Sequence, residues 1–158
     1  HNAMDIHHPS LIIAGGDEEA LNHLEGVIFN FSKIVPCKFL KMTGVEAAFT
    51  KLGIDSFLAT KVAFFNQMFN SVLSYGGNPV TVSRSMASDV RVGINHTIVP
   101  GYDNLPGYGS SLSEPLDILY DFVYNLEGDN FTLLKEVKEV NTKLRGKLNV
   151  DNRQAEEE

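Results

Sequence analysis

The sequence predicts a mainly α fold that carries a small β-α-β unit, an α+β arrangement in which one long central helix organises a helical bundle. Three observations lead there. Residues 44–75, GVEAAFTKLGIDSFLATKVAFFNQMFNSVLSY, contain no proline, and Ala47, Ala48, Leu52, Phe57 or Leu58, Val62, Phe65, Met68 or Phe69 and Val72 recur every three to four residues, the period of a helix face. Two later segments, 114–125 and 130–145, repeat that period, the second through Leu133, Leu134, Val137, Val140 and Leu144. Only two short apolar runs within residues 10–42 read as strands, and two strands are too few to stand alone as a sheet.

The elements can be taken in order. Ser10 to Ala14 is a short apolar run closed by Gly15-Gly16, and Asp17-Glu18-Glu19 opens a periodic segment that reaches Ile28 and Phe29. Strand, tight turn and helix follow, with Asp17 as the N-cap and acids in the first turn. The double glycine does not read as a phosphate cradle, because three carboxylates occupy the positive end of the helix dipole. Past Pro36, CKFLKM is a second strand that would bury Cys37. The long helix would span about 48 Å at ~1.5 Å per residue, more than a domain of this size encloses, so part of its surface is expected to seek a partner. Gly53 is a candidate bend. Lys51 and Asp55 stand four residues apart, and Asn66 falls on nearly the same face as Asp55.

Gly76-Gly77-Asn78-Pro79 breaks the chain, and Pro79 to Ala87 restarts as a short helix with proline at an early position. The segment 89–113, DVRVGINHTIVPGYDNLPGYGSSLS, is rich in Gly, Pro, Asn and Ser and reads as a long ordered loop; loops of that length in compact domains usually carry function. The closing DNRQAEEE reads as a solvated acidic tail. These boundaries give a flexible start at 1–9, with His1, Asn2 and Ala3 an expression remnant, a β-α-β unit at 10–43, a helical domain at 44–147 and a disordered tail at 148–158.

Composition narrows the function. The chain has 158 residues, 43% of them hydrophobic, enough for a real core in one domain or slightly more. A net charge of −7 without a cluster of lysines or arginines disfavours nucleic acid and anionic membranes as partners. The basic run Lys143, Arg145 and Lys147 reads more simply as complementing a helix C-terminus. A single cysteine excludes an internal disulfide and a multi-cysteine zinc site. No signal peptide or membrane span is legible, so a cytoplasmic location is expected.

Together, HPSLIIAGGDEEA, EAAFTKLGIDSFLATKVAFFNQ, DVRVGINHTIVPGYDNLPGYGSS and LLKEVKEVNTKLR resemble, in that order and spacing, the UDP-glucose/GDP-mannose dehydrogenase family in the form of its phage-like members. The resemblance covers about residues 8–145. It implies that the first segment is the tail of an NAD-binding domain. The second would be a central dimerisation helix, so a homodimer through 44–75 is expected. In the third lie an Asp-x-Arg-x-Gly turn and the glycine-rich loop that bears the nucleophile. The family oxidises an alcohol of a nucleotide sugar twice with NAD through a thiohemiacetal on cysteine, which needs a thiolate, a cation near the oxyanion and groups that activate water.

By that resemblance Lys51 matches the family's helix lysine, Asp55 stands where the family has asparagine, Arg91 matches the dimer-spanning arginine, and Gly107, Tyr108 and Gly109 fit the glycine-rich loop as substrate contacts. Reading on without a gap puts Leu112 at the cysteine position. One inserted residue instead aligns Ser113 with the cysteine, Pro115 with the proline and Asp117 with the aspartate, and is preferred for its two identities. Neither alignment supplies a thiol, and Leu116 takes the place of the loop lysine. No G-x-G-x-x-G follows a strand, so no cofactor is expected in this chain alone, although NAD is implied for the family and a separate NAD-binding half is a possible partner.

Plainer readings stand beside these. Lys51 and Asp55 fit a surface ion pair as well as a catalytic remnant; Arg91 fits a loop anchor on Asp89 or Asp103 as well as a ligand contact. His96 is read as a satisfied loop histidine rather than a general base, and Asn66 as a buried amide bonded to the long loop. Three functions follow: a dimer-forming module without its own catalysis, part of a UDP-glucose 6-dehydrogenase completed by another chain or segment, and a UDP-sugar-binding protein. The first is favoured.

Overall fold

The computed structural model describes residues 7–101, 104–127 and 131–155. Among them are two strands and five helices: β1 (Leu11–Gly15), α1 (Glu18–Phe31), β2 (Lys38–Met42), α2 (Gly44–Ser74), α3 (Pro79–Ala87), α4 (Ser110–Glu127) and α5 (Thr132–Ala155). The mainly helical fold expected from the periodicity is what forms. The chain divides into two compact units, His1–Lys51 and Leu52–Glu158, and the division falls inside α2.

In the first unit, β1 and β2 pair in parallel with Ile12 opposite Phe39 and Ile13 opposite Leu40. α1 starts as its sequence requires, with the Asp17 carboxylate accepting from the Ala20 N–H at 2.9 Å. Lys41 ties β2 to α1 through Glu25 and Asn22, both at 2.6 Å, and the rings of Phe29 and Phe39 meet edge to face. Gly15 lies where β1 ends against the start of α2: a Cβ there would come to 2.8 Å from Ala47 Cβ, so the position needs glycine. α2 itself opens on a capping box, in which Glu46 accepts from the Thr43 N–H and hydroxyl at 2.8 Å each and its own N–H reaches Thr43 Oγ1 at 3.3 Å. Cys37 is half-buried just ahead of β2, not inside a buried strand, because the ladder begins at Lys38.

α2 continues unbroken past Gly53. In the second unit it buries Asp55, Ser56, Ala59, Val62, Ala63, Phe65 and Asn66 on one side. Ala59, Val62 and Ala63 pack with Tyr108, with Leu116 and Leu119 of α4, and with Leu134 and Val137 of α5. Complete burial of a side chain such as Leu116 contributes roughly 1.5–3 kcal/mol, so this three-helix core is the main stabiliser of the unit. α3 begins with Asn78 capping Val80 and Thr81 at 3.0 and 3.2 Å and with Pro79 where its missing N–H costs nothing.

Two boundaries differ from expectation. α4 starts at Ser110, earlier than the expected 114, because Gly109 O accepts the N–H groups of Leu112 and Ser113 at 3.1 Å and winds the segment early. α5 continues to Ala155, through most of the stretch expected to be a disordered tail, so Lys143, Arg145 and Lys147 lie within a helix rather than at its end. Asn130, Asp103 and residues 156–158 lie outside the described residues.

Candidate functional site

The segment between α3 and α4 is held at two places by different means. At Gly107-Tyr108 the holding is buried. Asn66, 2% exposed, accepts from the Gly107 N–H at 3.0 Å and donates to Val62 O one turn back at 2.8 Å. Asn141 on α5 pairs with Tyr108 in both directions, accepting from its N–H at 2.8 Å and donating to its carbonyl at 3.1 Å. Two amides with both ends paired, Asn66 buried and Asn141 half-buried, fix one loop conformation, since a buried group that loses its partner is left dry.

Gly107 has φ +77°, and a Cβ there would run into the Asn141 amide oxygen. The Tyr108 ring enters the core at 5% exposure, its hydroxyl donating to Val137 O at 3.3 Å. Burial, and after it the charge of Asp117, push this phenol up to about 12. Tyr108 therefore serves as an anchor, with its hydroxyl turned inward.

The Asp89–Gly93 turn is held near its start by an exposed pair. Arg91 folds back on Asp89 with Nε to Oδ1 at 3.0 Å and the second guanidinium nitrogen to Oδ2 at 2.6 Å, while its backbone N–H bonds the same carboxylate at 2.9 Å. This is the anchoring geometry, and its bonds hold the Asp89 carboxyl below and the Arg91 guanidinium above their ordinary values. Lys61 of α2 holds the end of the turn by donating to Val92 O at 2.7 Å and Gly93 O at 3.1 Å; burial lowers its pKa. Nearby His96 sits at φ +64° with Nδ1 buried and unpartnered among the described residues, which departs from the satisfied histidine expected. Burial first and the charge of Lys61 second hold it below the ordinary imidazole value.

The other expected site residues lie on α2 and in the first turns of α4. Asp55 is 7% exposed on the core side of α2, and Lys51 is exposed on the preceding turn. Ser113 lies in the first turn of α4, and its hydroxyl has no hydrogen-bond partner among the described residues; nothing there activates it as a nucleophile. Leu116 is fully buried in the core, where a loop lysine could not stand, and Asp117 is paired with Lys138 at 2.8 Å. Asn141 was missed by sequence reasoning. Its signal was an amide placed at helical spacing from Val137 and Leu144, on the packed side of α5.

Residues 45–143 match the sequence profile of the central domain of the UDP-glucose/GDP-mannose dehydrogenase family. The chain belongs to that family. The UDP-glucose 6-dehydrogenase YwqF of Bacillus subtilis is 30% identical over 145 residues, covering 90% of this chain and 30% of the relative. The UDP-glucose 6-dehydrogenase of Pseudomonas aeruginosa is 34% identical over 111 residues, 68% of this chain and 22% of its own length. A solved UDP-glucose dehydrogenase from the hyperthermophilic archaeon Pyrobaculum islandicum superposes with a TM-score of 0.76 at 27% identity, over 89% of this chain and 31% of that one. The chain thus spans about a third or less of these dehydrogenases.

The described residues do not fit a dinucleotide's phosphates. The turn after β1 that would receive a pyrophosphate is closed by Asp17 on Ala20 N, with Glu18 and Glu19 in the first turn of α1. Among the described residues no group of three or more His, Cys, Asp or Glu could hold a metal ion, and no helix is long and apolar enough to cross a membrane.

Proposed function

We propose that this chain is the dimer-forming central module of a nucleotide-sugar dehydrogenase, cytoplasmic and phage-like, with no seat of its own for the thiol chemistry. The observation that carries the reading is the second side of α2. With one side packed in the core, Phe57 and Phe64 remain 67% and 47% exposed seven residues apart. Gly53, Thr60, Gln67 and Ser71 complete a seam whose spacing alternates four and three, the pattern by which helices interlock. A single chain leaves that seam in water, and a second copy of the same helix would cover it. Light scattering at micromolar concentration tests this: a dimer is expected, and Phe57→Asp with Phe64→Asp should give a folded monomer. A wild-type protein that is monomeric throughout would sink the reading.

The clamp on Gly107-Tyr108 favours a second reading, since a loop built to hold a sugar nucleotide keeps its supports. On this reading the chain is part of an NAD-dependent UDP-glucose 6-dehydrogenase completed by a separate or longer chain that brings both dinucleotide site and thiol. Mixing with a dinucleotide-binding half, NAD and UDP-glucose should then yield NADH absorbance; a folded mixture that produces none would dismiss it.

A further inference from the structure

The second unit contains a cavity of about 530 Å³ lined by Phe69, by Val80, Ser83, Arg84, Ala87 and Ser88 of α3 and its C-cap, and by Ile94, Thr97, Ile98 and Val99. Most of its wall is apolar, its volume lies in the range that encloses a small organic molecule, and none of the expected site residues lines it. Two polar groups face it without partners. Ser83 is 8% exposed, more than nine-tenths buried, and its hydroxyl makes no hydrogen bond among the described residues. Arg84 is exposed, and its guanidinium has neither an ion pair nor a hydrogen bond among the described residues; Thr97, by contrast, spends its hydroxyl on Ile94 O at 2.7 Å.

An unpaired guanidinium beside an unpaired hydroxyl that opens onto an apolar cavity suits an anion with two oxygens and a greasy body. Guanidinium and carboxylate match in charge and in fork geometry, the serine can donate to a carboxylate oxygen, and the remaining wall gains by removing hydrocarbon from water. We infer that this cavity is a binding site for an aliphatic monocarboxylate, its head on Arg84 and Ser83 and its chain against Phe69, Val80, Ile94, Ile98 and Val99. A single cation on the wall sets the charge at one. The lining shares no residue with the Phe57–Phe64 seam or with Gly107–Gly109.

Dodecanoate below its micelle concentration is the probe, followed by calorimetry and by methyl NMR shifts of the whole chain. One saturable site is expected, with shifts at Val80, Ile94, Ile98 and Val99. Arg84→Gln, a change at an exposed side chain, should weaken it at least about tenfold, the loss of one charge-assisted bidentate contact, and dodecanol should bind correspondingly less well than dodecanoate. Ala87→Phe, which fills the cavity, should abolish binding. Absence of saturation overturns the inference. So do equal affinities for dodecanoate, dodecanol and dodecyltrimethylammonium, or shifts centred on Phe57 and Phe64, which mark adsorption to the exposed seam. Shifts of the same four methyls on raising protein concentration without dodecanoate would assign the cavity to a second copy instead.

Discussion

Two stretches of the same interhelical segment are fastened in opposite ways. Gly107-Tyr108 is gripped from inside by Asn66 and Asn141, with an aromatic ring sunk in the core. The Asp89–Gly93 turn is fastened near its start by an Asp89–Arg91 pair in which the arginine is 86% exposed, and at its end by one lysine. Dry polar bonds are costly to break because the freed group finds no water, whereas an exposed ion pair exchanges readily with solvent. The first stretch should therefore have one conformation and the second should yield easily. A segment arranged this way keeps a rigid floor for its glycine-rich part and leaves the Arg91 side chain free to be recruited elsewhere.

The contrast breaks most visibly at Gly107. Gly107→Ala forces a side chain into positive φ and against Asn141, and should cost about 2–5 kcal/mol by the sum of backbone strain and overpacking, read as a lowered midpoint in urea unfolding. Equal stability would mean that the clamp is loose. Next, Asn66→Ala strands the Gly107 N–H in the core and should cost about 2–3 kcal/mol. Combined with Asn141→Ala, the two losses should not add, since both amides hold adjacent residues; simple additivity in a double-mutant cycle would show two independent anchors.

The weaker stretch should respond less. Lys61→Met removes the donor to two carbonyls and should cost about 1 kcal/mol. It should also raise the His96 pKa, because the Lys61 charge helps hold it down. His96 titrates below its ordinary 6.5 when folded, so the unfolded chain binds the proton more readily. The stabilising effect of its neutral form is complete above pH 6.5 and is lost as pH falls from there toward the folded pKa. Melting curves from pH 7.5 to 5.5 should show that loss, and Lys61→Met should shrink it; a histidine NMR titration at or above 6.5 would refute the assignment. Smallest of all, Arg91→Ala should leave the melting midpoint nearly unchanged, and a large drop would show that the exposed pair is structural after all.

The periodicity of 44–75, the Asp17 cap, the Asn78-Pro79 restart and the family resemblance were all legible in the chain, because each is a local or ordered pattern that one stretch carries by itself. Asn66 was legible as well: an amide in an apolar helix has to bond something, and the adjoining loop offered unpaired backbone. The start of α4 was not, since the choice between loop and helix at Ser110 depends on Gly109 O and on Leu112 finding a place beside the core. Nor was the buried place of Asp55, whose spacing from Lys51 fits a surface ion pair as well as a site.

The sequence by itself determined that this protein is built on a long apolar helix, that its loop has no cysteine and that it resembles the nucleotide-sugar dehydrogenases, since residue identity and spacing suffice for each. Tertiary structure alone decided that Asn141 reaches back 33 residues to hold Tyr108, that Arg91 turns to Asp89 rather than elsewhere, and that Ser83 and Arg84 face an apolar hollow. Those outcomes depend on which distant groups are brought within bonding distance and which are cut off from water, and no local pattern encodes either.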